Sequence, residues 1–379
     1  MVIGVPREIH HQEHRVGLTP FGAARLTQHG HSVLVESRAG DAAHFTDRDY
    51  TKSGAHVVYD PQEVYGRADV VCRVGRVAAS ELPLLKPRSV LFGFQHLAVA
   101  PREHVERLME LETTLLGYEM IRDKGGDLPV LVPFSEMGGR MAIHLAASYL
   151  RVEAGGRGVL LANIPGVPPP TVLVLGAGTV GRAAARQAVA TGAHVIVLDS
   201  DLRKLGGLAR ELGPQVVTVL GADERLEQYT AIADVLVGGV HIPGERAPYL
   251  VTEAMVRAMK PGSVIVDVAI DQGGCVETSR PTTLDQPTFL AHGVVHYCVP
   301  NMTASVPRTA SRALTNAALP YVVGLAGGVE QALRADPGLA EGVLLHRGRM
   351  VSDHVGRTLG IPAQPLARSL AQIDEDAQR

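Results

Sequence analysis

Residues 171–200 read TVLVLGAGTVGRAAARQAVATGAHVIVLDS. Val172 to Leu175 is an apolar run of the length of a buried parallel strand. Gly176-Ala177-Gly178-Thr179-Val180-Gly181 follows without a break. Ala183 to Ala190 is alanine-rich and favours helix, and Gly192 ends it. His194 to Leu198 is a second buried strand, closed by Asp199. Strand, G-x-G-x-x-G, helix, strand and acid together make the dinucleotide-binding βαβ unit.

Each residue type in that unit has a physical reason. Gly176 turns the chain sharply out of the strand, Gly178 has no Cβ to keep a pyrophosphate off the backbone, and Gly181 lets the helix lie close to the sheet. The free N–H groups around Thr179 and Val180, at the positive end of the helix, then face the phosphates. Asp199 is placed to accept hydrogen bonds from the adenosine ribose hydroxyls. A 2′-phosphate there would meet a like charge, so the expected cofactor is NAD, with Ser200 and Arg203 leaving a small opening for NADP.

Downstream the βα pattern continues. Val216 to Leu220, Val235 to Gly238, Ser263 to Val268 and Tyr297 to Pro300 read as strands. Gly239 and Val240 follow one of these, where backbone approaches a cofactor. Asp271 stands before Gly273-Gly274 at the end of another, and Asn301 follows the last. Pro307 to Leu325 reads as a helix that returns the chain to its first part, and the tail from Gln364 reads as polar and frayed.

Upstream, Met1 to Pro6, Ser32 to Glu36, Ala55 to Tyr59, Asp69 to Val74, Ser89 to Phe94 and Thr114 to Tyr118 read as strands. Helices are expected over Pro20 to Gln28, with Thr19 as N-cap, over Asp47 to Ser53, and over Pro101 to Glu112. Alternating strands and helices mean a second parallel sheet. Ser135 reads as the N-cap of a helix to about Leu150, in which Met137, Met141 and Leu145 repeat at helical spacing. Glycine- and proline-rich loops at 155–158 and 165–170 lead into the opening stretch.

The composition excludes several classes. A chain of 379 residues favours two domains. Net charge is −3 with mixed signs, and with no Trp and six Phe there is neither a basic field nor a stacking platform for nucleic acid. Cys72, Cys275 and Cys298 form no C-x-x-C pair, so neither a disulfide framework nor a zinc site is indicated, and a reducing cytoplasm fits. His10, His11 and His14 read as solvated, and no metal is expected. The N-terminus turns charged after six residues, giving no signal peptide, and no apolar run approaches the roughly 18–20 residues of a membrane helix.

Hydride transfer asks little of a protein beyond a cation for the substrate's charge, an acid/base for its heteroatom, and groups that place the nicotinamide. Arg15 is the first candidate cation, since a guanidinium matches a carboxylate bidentately. His96, just after a strand, is the acid/base candidate, with a reference pKa near neutrality. Asp271 is the candidate at the nicotinamide. Arg73 lies in the last part of a strand, where ligand-facing residues collect.

The chain resembles the alanine dehydrogenase family, related to the alpha subunit of pyridine nucleotide transhydrogenase, nearly end to end. The resemblance is carried by IGVPREIHHQEHRVGLTP, GFQHLA around His96, PFSEMGGR around Ser135, GGRGVLLANIPGVPPPTVLVLGAGTVG, IPGERAPYLVT, KPGSVIVDVAIDQGGCVETSRPTT and HYCVPNMTASVPRTAS. It implies an α/β fold of two Rossmann-like, doubly wound domains with a central cleft. Residues 1–128 plus 307–379 would form the substrate domain and 129–306 the NAD domain. It also implies a homohexamer acting on an amino acid and its 2-oxo acid.

By the same resemblance Arg15 binds the substrate carboxylate, His96 is the acid/base, Asp271 assists at the nicotinamide, Ser135 touches the cofactor, Asp199 binds ribose, and Asn301 lies near the nicotinamide. One departure bears on substrate. The family's K-V-K-E-P segment reads Arg73-Val74-Gly75-Arg76-Val77 here, so Gly75 stands where a substrate-binding lysine is expected. Arg73 matches the family's first lysine, and Arg76 in a strand-like segment would point to the opposite face. Gln95, Pro300 and Thr303 also depart from the pattern. The reading is an NAD-dependent dehydrogenase of a small L-amino acid. A dehydrogenase or imine reductase for a bulkier substrate, and an inactive NAD-binding homologue, are the alternatives.

Overall fold

The computed structural model describes residues 1–221, 223–240 and 247–377. Residues 242–246, part of the IPGERAPYLVT segment, lie outside the described residues. The chain divides into two compact units, Met1–Pro133 with Ala304–Arg379, and Phe134–Thr303. Among the described residues no helix is long and apolar enough to cross a membrane.

The first unit begins with six strands: β1 (Val2–Val5), β2 (Ser32–Glu36), β3 (His56–Val58), β4 (Val70–Cys72), β5 (Val90–Gly93) and β6 (Thr114–Gly117). The second unit contributes β7 (Thr171–Leu175), β8 (His194–Asp199), β9 (Val216–Leu220), β10 (Val235–Gly238), β11 (Val264–Asp267), β12 (Thr288–Ala291) and β13 (Val294–Tyr297). The chain then completes the first sheet with β14 (Val343–His346) and β15 (Arg349–Met350).

The first sheet runs β15-β14-β6-β5-β4-β1-β2-β3 and the second β12-β13-β11-β10-β7-β8-β9. β1 to β6 pair in parallel, as do β7 to β11 and β13. The antiparallel pairs are at the edges, β6 with β14, β14 with β15, and β12 with β13.

Period-two alternation explains why these strands are apolar throughout. Val172 and Val174 pack on one face of the second sheet with Ala142, Ile143 and Ala146, while Leu173 and Leu175 pack on the other with Ile196, Leu236, Val256 and Ile265. Both faces are covered, so neither can be polar. In the first sheet Val71, Leu91, Leu115 and Leu345 share a core with Val105, Leu108 and Val355.

Several expectations are corrected. The helix near Ser135 spans Val132–Tyr149, so Ser135 lies inside it; Pro133 sits in the first turn, where a missing N–H costs nothing. Thr19 is at the N-cap of Pro20–Gln28 but its side chain does not cap the helix; its N–H donates to Thr315 Oγ1 (2.9 Å). The last strand of the second unit is Val294–Tyr297 rather than Tyr297 to Pro300. It is the return arm of a hairpin whose two-residue turn, His292-Gly293, has both φ values positive, the geometry that joins twisted antiparallel strands. Over its described residues the tail is not frayed. Leu366–Ala377 is a helix whose Ser369 and Leu370 are buried, with Ser369 hydrogen-bonded to His346 (2.8 Å).

Candidate active site

In each sheet the strand order reverses at one point, between β7 and β10 in the second unit and between β1 and β4 in the first. Ligands of open α/β sheets bind outside the strands' C-terminal ends at such a point. Apart from Ser135, which lies within a helix, the residues singled out from the sequence collect at these ends or in the loops that follow them.

In the second unit the loop after β7 carries Gly176 to Gly181, and the loop after β10 carries Gly239 and Val240. Gly176 has φ +94°, and a Cβ on it would lie 2.9 Å from Gly239 O. A Cβ on Gly181 would lie 1.7 Å from Gly176 O, so the helix Thr179–Thr191 can approach the strand only through glycine. Gly178 differs. A Cβ on it would meet no atom within 4 Å, and as N-cap it offers no side-chain cap to the N–H groups of Thr179, Val180 and Gly181. Open space in front of uncapped amides at a helix's positive end is what a pyrophosphate requires.

Asp199, at the end of β8, accepts from Ala177 N (2.6 Å) and from Asp201 N (2.8 Å). One oxygen therefore ties the acid to the glycine loop, and the carboxylate stays half-buried beside it, where ribose hydroxyls would come. These residues fit a bound NAD.

Asp271 lies in the 3₁₀ turn Val268–Gln272 after β11 and is exposed. Its Oδ1 accepts from Asn301 N (2.9 Å), and Asn301 has φ +52°, so two loops carrying candidate residues are joined directly. Asp267 organises this turn, a residue that sequence reasoning missed. Its buried carboxylate accepts from Ala269 N (3.2 Å), Cys275 N (3.0 Å) and Val276 N (3.3 Å). Burial pushes its pKa up, against the lowering effect of hydrogen bonds from Ser279, Cys275 and Val276. Ser135 is half-buried in the helix Val132–Tyr149.

In the first unit Arg15 is 4% exposed and is held by Glu13, with Nε on Oε1 (2.7 Å) and Nη2 on Oε2 (2.5 Å). That two-point clamp sets the plane of the guanidinium. A pocket of about 190 Å³ opens beside it, lined by Glu8, Glu13, His14, Arg15 and Arg38 among others. His96 follows β5 with its imidazole exposed and parallel to the Phe94 ring (centroids 6.1 Å apart, 9°).

Arg73 sits differently from the other candidates. It is 2% exposed, with Nη2 on Glu8 Oε2 (2.7 Å) and Nη1 on Glu81 Oε2 (2.7 Å) and on the Tyr65 hydroxyl. Glu8 also accepts from Val74 N (2.7 Å). The carboxylates hold the Arg73 pKa up despite desolvation, so its charge serves a buried network that fastens the loop after β1 to the loop after β4. Because β4 ends at Cys72, strand alternation does not govern residues 73–77. Arg76 folds toward the next loop instead, its Nη1 reaching Gln95 O (3.3 Å) and His96 O (3.5 Å). Gly75 leaves open space: a Cβ there meets only His10 Cδ2, at 3.9 Å.

Two doubly wound sheets, one with a G-x-G-x-x-G loop, an acid on the neighbouring strand and no cap on the helix, define a nicotinamide-dinucleotide-binding protein of the dehydrogenase type. The chain belongs to the alanine dehydrogenase/PNT family, whose N-terminal-domain model matches residues 4–138 and whose C-terminal-domain model matches residues 142–353. It is 44% identical over 372 residues to the alanine dehydrogenase of Mycobacterium tuberculosis, covering 98% of this chain and all of that one. It is 43% identical to that of Bacillus subtilis, with 98% of both chains covered. A solved structure of an L-alanine dehydrogenase superposes with a TM-score of 0.91 at 43% identity, over 95% of this chain and 99% of that one.

Proposed function

We propose that this chain catalyses the reversible, NAD-dependent oxidative deamination of a small L-amino acid, alanine first among them, to its 2-oxo acid and ammonia. The likeness to alanine dehydrogenases across nearly the whole of both chains carries this reading. NAD, when bound, supplies the acceptor for the hydrogen and electron pair that leave Cα.

The chain's own residues do the rest. The amides at 179–181 hold the pyrophosphate over the open face of Gly178, and Asp199 takes the ribose hydroxyls. Asp271 and Asn301, linked by their hydrogen bond, border the nicotinamide. Arg15, its plane set by Glu13, holds the substrate carboxylate in two-point contact. His96 accepts a proton from the water that attacks the imine carbon and returns one to the departing amine. Arg73 acts on this pocket through Glu8, which lines it, and Gly75 leaves open space beside His10. Family likeness supports a cytoplasmic homohexamer, to be checked by light scattering against six times the 40.2 kDa chain.

The test is an assay of the purified protein with NAD and a panel of L-amino acids, and with NADH, ammonia and the matching 2-oxo acids. Turnover of alanine and pyruvate is expected. Silence in both directions on every member would overturn the reading.

A further inference from the structure

His96 has φ +44° and ψ +45°, the left-handed conformation that a side chain with a Cβ disfavours. Something must hold it there, and the surrounding contacts identify one group. His96 N donates to Glu119 Oε1 (2.8 Å), and Gln95 N donates to both oxygens of the same carboxylate (3.1 and 3.3 Å). Two successive amides therefore converge on one negative charge, and charge-assisted bonds of this kind are the strong ones.

The neighbouring strand is cut to allow it. Glu119 follows β6, and Gly117, which pairs with Gly93 of β5, has no side chain. A Cβ on Gly117 would lie 3.0 Å from Glu119 Cδ and Oε1. The glycine leaves room for the carboxylate to fold back under the loop after β5. From the other side Arg76 reaches the Gln95 and His96 carbonyls at 3.3 and 3.5 Å. The peptide units around His96 are thus gripped by a carboxylate at the Gln95 and His96 N–H groups and by a guanidinium at the Gln95 and His96 carbonyls.

We infer that Glu119 is a positioning residue for the reaction: through the backbone, it fixes the left-handed turn that presents the His96 imidazole. This rests on the reading of His96 as the acid/base. Glu119→Ala removes the acceptor, and a displaced acid/base lowers kcat roughly 10- to 100-fold. The KM for NAD should stay unchanged, because that site is built from other residues. Glu119→Gln keeps an oxygen at Oε1, the atom that accepts from both amides, and should recover most of the loss. In a His96→Ala background Glu119→Ala should cost nothing further, since the group it positions is gone.

Kinetics are referred to the concentration of NADH-binding sites, so that unfolded protein does not count. A kcat per site in Glu119→Ala equal to the parent's, or an equal loss added on top of His96→Ala, would overturn the inference. Crystal structures of the parent and of Glu119→Ala give an independent arm: His96 should leave the left-handed region, and an unmoved His96 backbone would also overturn it. If the parent turns over no amino acid, the proposed function fails, and the crystal structures alone decide the role of Glu119.

Discussion

Replacing Gly178 by alanine separates cofactor binding from the stability of the loop that carries it. Gly178 has φ −71° and ψ −168°, backbone that alanine adopts freely, and its Cβ would meet no protein atom within 4 Å. Alanine is a poorer N-cap than glycine by about 0.5 kcal/mol. It also removes about 0.4–1 kcal/mol of freedom from the unfolded chain. These terms offset, so Tm should stay within about 3 °C of the parent. The same methyl group stands where the pyrophosphate must reach the amides. Losing one charge-assisted hydrogen bond costs about 1.5–3 kcal/mol, or roughly 10- to 150-fold in Kd. NADH fluorescence titration beside thermal melts reads both quantities. Gly181→Ala is the contrast: its Cβ would sit 1.7 Å from Gly176 O, so it should lose about 3 kcal/mol or more of stability. A folded Gly178→Ala protein that binds NADH within about threefold of the parent would refute the placement of the pyrophosphate.

Three further outcomes are expected. Arg73→Met strands Glu8 and Glu81 as buried carboxylates and should cost about 3–5 kcal/mol in urea unfolding; adding Glu8→Gln and Glu81→Gln should restore most of it, and a neutral single variant would contradict the buried network. Gly75→Lys fits the open space at that position and supplies a cation, so alanine kcat/KM should rise about tenfold or more, and no gain would show that the missing lysine is not what limits turnover. Burial holds the His104 and His346 imidazoles down to about 4. Above about pH 6.5 both are neutral folded or unfolded; below it only the unfolded chain takes up protons until about pH 4, so stability falls as pH drops through that window, by up to about 3 kcal/mol for each histidine. Urea midpoints at several pH values check this, and a His104→Asn/His346→Asn protein should show a shallower slope.

The second unit was legible because its signals are local. Each buried strand is one apolar run, the glycines stand at fixed offsets, and the acid closes the next strand. The candidate site was legible by residue type and by place, at strand ends. What was not legible depends on partners distant in sequence. Nothing in Arg73-Val74-Gly75-Arg76 announces that Arg73 is spoken for by Glu8 and Glu81, or that the strand stops at Cys72 and frees Arg76 to reach the Gln95 and His96 carbonyls. Glu119 lies 23 residues from His96, in a segment without a motif. The helix Leu366–Ala377 was hidden by its polar composition, although Leu366, Leu370 and Ile373 recur at helical spacing. The β12–β13 hairpin was hidden because His-Gly is a less familiar turn pair than Asn-Gly.

The first unit is assembled from two separated stretches of chain, with the second unit interposed. On the ribosome β6 is complete long before β14, its antiparallel neighbour, which follows after the entire second unit. At about 5–20 residues per second that interval is tens of seconds. Throughout it the edge of β6, with Leu115 and Leu116, lacks the strand that covers it, and an open apolar edge of this kind invites pairing with other nascent chains. Chaperone demand should therefore peak during synthesis of the second unit and fall once β14 emerges, and a chain truncated before Val343 should aggregate even though its glycine loop and the pocket beside Arg15 are already encoded.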